Sequence, residues 1–431
     1  MPTLQPYKKY NAIAYDYAKQ LPDGWQLLPN IAIFQERIER GYENEELLSV
    51  TIGRGIIKQA DLDKKDSSTL VKSKYLLVYP DDLVYSMRFR QGASGYSNYK
   101  GIVSPACTVL KPRKEVKLNS RYYYYMFRTG FYKNFAERYA YGIADGQMPL
   151  RYTDFKRMYS IFPPLEVQNS IVTYLDKKNN VIDKFIQKKE RIIKVLEEKI
   201  FFLVNNDKPW KQEKAKWIFE ERNIKNQINE ELLAATQDRG VIPKRMCDEN
   251  FLSPYSFEGL KLVEENDFVI SLRSFQGGIE FSNYRGIVSP AYNVVRLKSE
   301  LNNENYILFY KYYFKSPKLI SLLNTVISGI RDGQNINWND FKNLILPIPN
   351  EETIKEMLPD FVIFEELKKK FAMERNMIEE YREALITDLV TGKRQPPDID
   401  AVKNSTDDIL MAAYTDAAYT TNDNTNKNNN E

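Results

Sequence analysis

The sequence predicts an α+β chain in which two similar globular α/β domains are joined by two long antiparallel coiled-coil helices, a pseudo-twofold dumbbell. Three observations predict it. A long segment repeats about 185 residues downstream, two stretches carry apolar residues at alternating steps of three and four, and 431 residues exceed what one compact core holds.

The repeat comes first because it decides the architecture. Tyr96 to Ala106 reads YSNYKGIVSPA and Phe281 to Ala291 reads FSNYRGIVSPA, nine identities in eleven at a shift of 185. The same shift carries Trp25 onto Trp210, Glu36-Arg37 onto Glu221-Arg222, Arg54-Gly55 onto Arg239-Gly240, Asp82 onto Asp267 and Gln91-Gly92 onto Gln276-Gly277. Small insertions move it to 187 for Asp145-Gly146-Gln147 against Asp332-Gly333-Gln334. A period this long is no solenoid unit, so each copy is expected to be a domain.

Within each copy, short β-branched or aromatic runs such as Leu76 to Met87 and Asp267 to Leu272 stand between Gly, Pro and Asn, which suits a mixed α/β domain. The end of each copy differs in kind. Residues 165 to 204 contain no Gly or Pro and place Ile182, Ile186, Ile193, Leu196, Ile200 and Leu203 along one stripe, with Lys189 in the gap. That is the spacing of a coiled-coil seam. Leu367, Phe371, Ile378, Tyr381 and Leu385 repeat it in the second copy, with Glu374 where Lys189 stood. In an antiparallel pair only central positions meet their own equivalents, so Lys189 and Glu374 are candidates to fix the register. Two solvated charges at the seam edge are the plainer alternative. The expected divisions are a domain over 1–164, a helix over 165–204, a domain over 205–350, a helix over 351–393, and a polar tail over 394–431 in which seven acidic groups face three basic ones. The tail reads as disordered.

Composition excludes much chemistry. No histidine is present, which removes imidazole-based triads, most zinc sites and most general acid-base schemes at neutral pH. Cys107 and Cys247 do not match in the repeat and read as free thiols. GxGxxG and GxxxxGK[ST] are absent. Asp207-Lys208-Pro209-Trp210 has a faint likeness to an amino-methyltransferase motif, but the first copy has Pro22-Asp23-Gly24-Trp25 there, so a domain-start Trp is the better reading. Asp154-Phe155-Lys156 and Asp340-Phe341-Lys342 have a nuclease-like look and recur in the same structural place, which favours a structural use. No catalytic residue and no metal site is expected. No signal-peptide-like segment or apolar run of about 18 residues occurs, so a cytoplasmic protein without a membrane partner is expected. The net charge is only +4, but the acidic tail carries −4, so the residues before it carry +8, a surplus that suits a polyanion partner.

The segments FPPLEVQNSIVTYLDKKNNVIDKFIQKKERIIKVLEEK (Phe162 to Lys199) and YREALITDLVTGKR (Tyr381 to Arg394), with two DGQ-bearing domain ends, make the chain resemble the specificity (S) subunit of type I restriction-modification systems, the HsdS family, to about residue 395. The second helix begins IPNEETIKEML, without the double proline and Gln of the first. The resemblance implies that each domain is a target-recognition domain reading one half of a split, asymmetric site in double-stranded DNA, while the helices set the unread gap. It also implies two methyltransferase subunits and, where one is present, a restriction subunit as partners. S-adenosylmethionine, ATP and magnesium belong on those partners, and no cofactor is expected on this chain. A 40-residue helix is about 60 Å long, well over the roughly 34–36 Å of one duplex turn, so a bipartite site follows. A non-catalytic coiled-coil scaffold or a non-specific DNA-binding protein is the competing reading.

Base readout calls for Arg, Lys, Asn and Gln, and phosphate contacts position them. The segment from Arg88 to Lys100 offers Arg88, Arg90, Gln91, Ser94, Asn98 and Lys100, and its counterpart offers Arg273, Ser274, Gln276, Asn283, Tyr284 and Arg285. Arg54 and Arg239, each before Gly, are phosphate candidates. Domains that read different sequences should differ where they touch bases, so Phe89-Arg90 against Ser274-Phe275 are the better specificity candidates. Lys111, Arg113 and Lys114 form a further basic run, which a solvated face explains equally well.

Overall fold

A computed structural model describes residues 4–15, 17–62, 71–139, 150–205, 210–247, 257–326 and 336–397. The DGQ segments, Asp207 to Pro209 and the tail from 398 onward lie outside the described residues. The chain divides into two compact units, Met1–Phe185 with Arg375–Glu431, and Ile186–Glu374.

The first unit opens with the hairpin β1 (Tyr10–Ala12) and β2 (Gln20–Pro22). Then come β3 (Gln26–Pro29), α1 (Asn30–Ile33), β4 (Phe34–Glu36), β5 (Leu48–Thr51) and β6 (Gly55–Lys58). They are followed by β7 (Leu76–Val78), β8 (Leu83–Tyr85), β9 (Ser94–Tyr96), β10 (Gly101–Val103) and β11 (Thr108–Pro112). Helices α2 (Ser120–Arg128), α3 (Gly130–Glu137) and α4 (Tyr152–Phe155) lead to β12 (Tyr159–Phe162) and the 40-residue helix α5 (Leu165–Val204).

The second unit repeats this order. It runs β13 (Lys211–Lys214), α6 (Ala215–Ile218), β14 (Phe219–Arg222), β15 (Leu233–Thr236), β16 (Gly240–Pro243), β17 (Lys261–Val263) and β18 (Phe268–Ile270). Next are α7 (Ser274–Gly277), β19 (Glu280–Phe281), β20 (Gly286–Val288), β21 (Asn293–Leu297), α8 (Glu304–Tyr313), α9 (Pro317–Asn324), α10 (Trp338–Phe341), β22 (Ile345–Ile348) and the 40-residue α11 (Glu351–Val390), which counts in the first unit from Arg375 onward, as α5 counts in the second from Ile186. From β3 onward every strand has its counterpart in the second copy, so the chain is α+β with a duplicated α/β domain.

Each domain is organised by a four-stranded antiparallel sheet, β4-β11-β8-β9 in the first and β14-β21-β18-β19 in the second. The central strands β8 and β18 are buried on both faces, which is why they are apolar throughout instead of alternating. Leu83 and Tyr85 face an aromatic core with Phe34, Tyr123, Phe127 and Phe155, while Val84 faces a smaller core with Leu48, Ile56 and Val109. In the second copy Phe268 and Ile270 face Phe219, Tyr310, Phe314 and Phe341, and Val269 faces Leu233, Val241 and Val294. The aromatic positions recur copy to copy because an aromatic ring supplies a large buried area from one residue. Phe155 and Phe341 are fully buried, which gives the DxK-like triplets a packing role.

A bidentate ion pair ties the sheet edge in each copy. Arg37 donates Nε and Nη2 to Asp82 at 2.9 and 3.1 Å, and Arg222 does so to Asp267 at 2.6 and 3.3 Å. Each carboxylate also accepts a turn amide, from Tyr79 and Glu264, at 2.8 Å. Burial pushes both Asp82 and Asp267 upward from the ordinary carboxylate range, against the pull of the arginines.

The long helices start and stop for local reasons. The carbonyl of Pro164 accepts the amide of Gln168 at 3.0 Å. The fully buried Gln168 side chain donates to Pro163 O at 2.8 Å and accepts from Asn119 N at 2.9 Å. Where α11 lacks that motif, Asn350 caps instead, accepting the Thr353 amide at 2.8 Å. Pro359 lies inside α11, flanked by buried Met357 and Phe361, whose packing holds that turn. Gly392, at φ 75°, ends it in the left-handed conformation a C-terminal cap requires.

Within the second unit, Lys199 pairs with Asp360 at 2.6 Å and Lys189 with Glu374 at 3.2 Å, so partner numbers fall as α5 rises and the two segments run antiparallel. In the first unit Asp183 meets Arg382 at 2.5 Å, while Ile171 and Leu175 share a core with Leu385 and Leu389. Ile186, Ile200 and Leu385 are buried, and Ile182, Ile193, Leu196, Phe371 and Ile378 are half-buried. Leu367 and Tyr381 depart from the spacing argument. They are 38% and 43% exposed.

Candidate nucleic-acid interface

Two loops meet at one edge of each domain. The first is the hairpin tip between β5 and β6, where Thr51 Oγ1 donates to Gly55 O at 2.9 Å and accepts the Arg54 amide at 3.0 Å. Gly55 has φ 70°, so the turn needs a glycine directly after the arginine. The second copy builds the same tip: Thr236 Oγ1 donates to Gly240 O at 2.9 Å and accepts from Arg239 N at 3.2 Å, and Gly240 has φ 73°. The guanidinium leans back over the strand in both, donating to Asp61 O at 3.5 Å and Met246 O at 2.9 Å.

The second loop follows β8 or β18. In the first domain a 3-10 turn, Phe89–Gln91, anchors itself by burying Phe89 and leaves Arg88, Arg90 and Gln91 exposed around it. Arg90 is ion-paired with Glu137. In the second domain Ser274, at the start of α7, takes the buried place of Phe89, and its Oγ accepts the Ser271 amide at 2.8 Å. Arg273 and Gln276 are exposed beside it. The two loops of the second domain enclose a groove of about 570 Å³ lined by Gln237, Asp238, Arg239, Ser271 and Arg273. Arg239 and Arg273, 34 positions apart in sequence, thus share one groove.

Several expectations are corrected. The segment from Arg88 to Lys100 is not one loop. Tyr85 pairs with Ser94 and Leu83 with Tyr96, so β9 carries the chain to the opposite end of the strand pair before Asn98 and Lys100. Ser94 is buried in that strand. Lys100 is ion-paired with Glu45, and Arg285 with Glu230 and Glu264 at 2.8 and 3.0 Å. Asn98 and Asn283 are exposed on that far side. Phe89 and Ser274, offered as specificity candidates, are each 1% exposed and belong to the interior. Arg113 donates to Ile31 O, so part of the basic run from Lys111 is used internally.

Sequence reasoning passed over Arg128 and Lys315. They follow the aromatic runs of α2 and α8 and hydrogen-bond backbone carbonyls of both loops. Their correspondence, at the shift of 187, was the one available signal. Cys107 and Cys247 are free, and burial pushes the Cys107 thiol up to about 12. Among the described residues no group of three His, Cys, Asp or Glu side chains could hold a metal ion. No described helix is long and apolar enough to cross a membrane.

The fold and this edge define a duplicated binding protein, one domain type presenting the same pair of loops twice. The profile of the family described as "Type I restriction modification DNA specificity domain" matches residues 49–198. The putative type I restriction enzyme MjaX specificity subunit of Methanocaldococcus jannaschii is 21% identical over 347 residues, covering 74% of this chain and 80% of that protein. A chain from a structure of complex assembly and conformational transition of the type I R-M system superposes with a TM-score of 0.54 at 13% identity, covering 86% of this chain and 98% of that one. The HsdS subunit from Thermoanaerobacter tengcongensis covers the same shares at 13% identity with a TM-score of 0.38. Residues 49–198 thus match the DNA specificity domain of type I restriction-modification systems, and the chain is similar over most of its length to a type I specificity subunit.

Proposed function

We propose that each domain reads one half of a bipartite, asymmetric site in double-stranded DNA, and that the chain directs N6-adenine methylation and cleavage by partner subunits. The observation that carries this reading is the two-loop edge, built twice with Arg54 and Arg88 in one copy and Arg239 and Arg273 in the other. Arginines on exposed loops suit phosphate positioning, and Gln91 and Gln276 beside them suit base contacts. Apolar residues left exposed on the long helices support a role in carrying methyltransferase subunits: Ile192, Val195 and Phe202 on α5, and Met373 and Met377 on α11. S-adenosylmethionine, ATP and magnesium would then act on those partners.

The test has two parts. Methylation-aware sequencing of DNA from cells carrying the chain with its methyltransferase should return one split adenine-methylated motif. Binding of that duplex by the purified complex should weaken steeply with salt, and R54A, R88A, R239A and R273A should each lower the slope by about 0.9 for every phosphate left without its arginine. Salt-independent binding with no split motif would favour the scaffold reading instead.

A further inference from the structure

One cation in each domain touches both loops of the edge. Arg128 donates Nη2 to the carbonyls of Ile52 and Gly53 at 2.9 and 3.0 Å, and Nη1 to those of Gly92 and Ser94 at 3.2 and 3.1 Å. Lys315 donates Nζ to the carbonyls of Gln237 and Gly277 at 3.1 and 3.0 Å, and to Glu280 Oε2 at 2.6 Å. Ile52 and Gln237 are equivalents in the repeat, as are Gly92 and Gly277. Two different side chains therefore bridge the same two carbonyl positions.

The chemistry around the bridge differs in a compensating way. A guanidinium has five donors in a fixed fork and spans four carbonyls, whereas an ammonium has three and reaches two. The third lysine donor goes to Glu280, which is 1% exposed and stands where the first domain has Gly95. At Gly95 an added Cβ would collide with Ile56, so the first domain has no room for a carboxylate there. The two loops are in direct contact there, since a Cβ on Gly277 would meet the Gln237 side chain at 3.0 Å.

We propose that Arg128 and Lys315 are positioning residues that lock the hairpin tip to the second loop, so that each domain presents its arginines as one reading edge. This rests on the DNA-reading function proposed above. Holding reading groups in fixed geometry is what turns contact into discrimination, so loss of the lock should cost sequence selectivity more than affinity.

The experiment uses the full chain with its methyltransferase partner and duplexes carrying the motif found by sequencing, with either half-site mutated in turn. R128M is expected to lower discrimination at one half-site by about tenfold, K315M at the other, each leaving the opposite half and the salt slope unchanged. K315R, which can reach the same carbonyls, is expected to retain discrimination. Full discrimination in both methionine variants would overturn the proposal, as would an equal loss at both half-sites, which marks general unfolding. A parent complex that discriminates at neither half-site would instead overturn the DNA-reading function itself.

Discussion

Reversal of one charge at the Lys189–Glu374 contact is expected to destabilise the second unit, and exchange of the two charges to restore it. The pair is 3.2 Å apart with side chains 19% and 20% exposed. At an effective dielectric near 20 the gross attraction at that distance is about 5 kcal/mol, and desolvation of both groups offsets a large part of it. K189E places two carboxylates at the contact, from which both can swing toward solvent. The expected loss is therefore roughly 2 kcal/mol, and K189E/E374K should return to within about 1 kcal/mol of the parent. The assay is urea unfolding followed by far-UV circular dichroism, with each step fitted separately where unfolding runs in two. Equal midpoints for the parent, the single reversal and the exchange would refute the reasoning and leave the pair as two solvated charges.

Three further outcomes follow from packing and ion pairing inside the domains. Asp267→Asn strips Arg222, which is 8% exposed, of its bidentate partner and leaves Glu264, 2.8 Å away, as its remaining anion; urea titration should show a loss of about 2 kcal/mol, and a loss below about 0.5 kcal/mol would remove the structural importance assigned to the pair. Gly286→Ala drives a Cβ into the Glu231 carbonyl, and Gly101→Ala into that of Glu46; each should cost about 1–3 kcal/mol, whereas unchanged melting would show that these strands have room to part. Burial pushes Glu280 up from 4.5 to about 7, with Lys315 pulling it down and Asp238 raising it. A raised carboxyl favours the folded state while protonated, so its contribution is full below pH 4.5 and is lost as pH rises through about 7. The second unit should lose up to roughly 3 kcal/mol of stability between pH 5 and 8, and a parallel pH profile for Glu280→Gln would refute that assignment.

The fold was legible because its signals are periodic. A stripe at steps of three and four marks a helix with one face to bury, and a repeat at 185 constrains both copies to one topology. The Lys189–Glu374 contact was legible for the same reason, being one position seen in both copies. The edge was less legible. Burial of Phe89 and Ser274 depends on what lies beneath a short turn, and local composition carries no record of that. The split of the segment from Arg88 to Lys100 depends on the pairing of β8 with β9, a tertiary fact hidden by three small residues in a row, Ala93, Ser94 and Gly95. Arg128 and Lys315 escaped notice because each looks like an ordinary helix-end cation, and only their partners distinguish them.

Residues common to the two copies are largely used within the domain. Arg37 and Asp82 match Arg222 and Asp267, Lys100 and Glu45 match Arg285 and Glu230, and Thr51 and Thr236 each close the turn that holds the following arginine. Between those threonines and arginines the hairpin tips differ, Ile52-Gly53 in one copy and Gln237-Asp238 in the other. A glutamine can pair with adenine and an aspartate can accept from cytosine, whereas Ile52 offers only apolar contact, such as to a thymine methyl. Exchange of these two residue pairs between copies should therefore change which bases each domain prefers while leaving thermal unfolding nearly unaltered. Retention of both original half-sites would place discrimination on the second loop, at Arg90 and Phe275, where the two copies also differ.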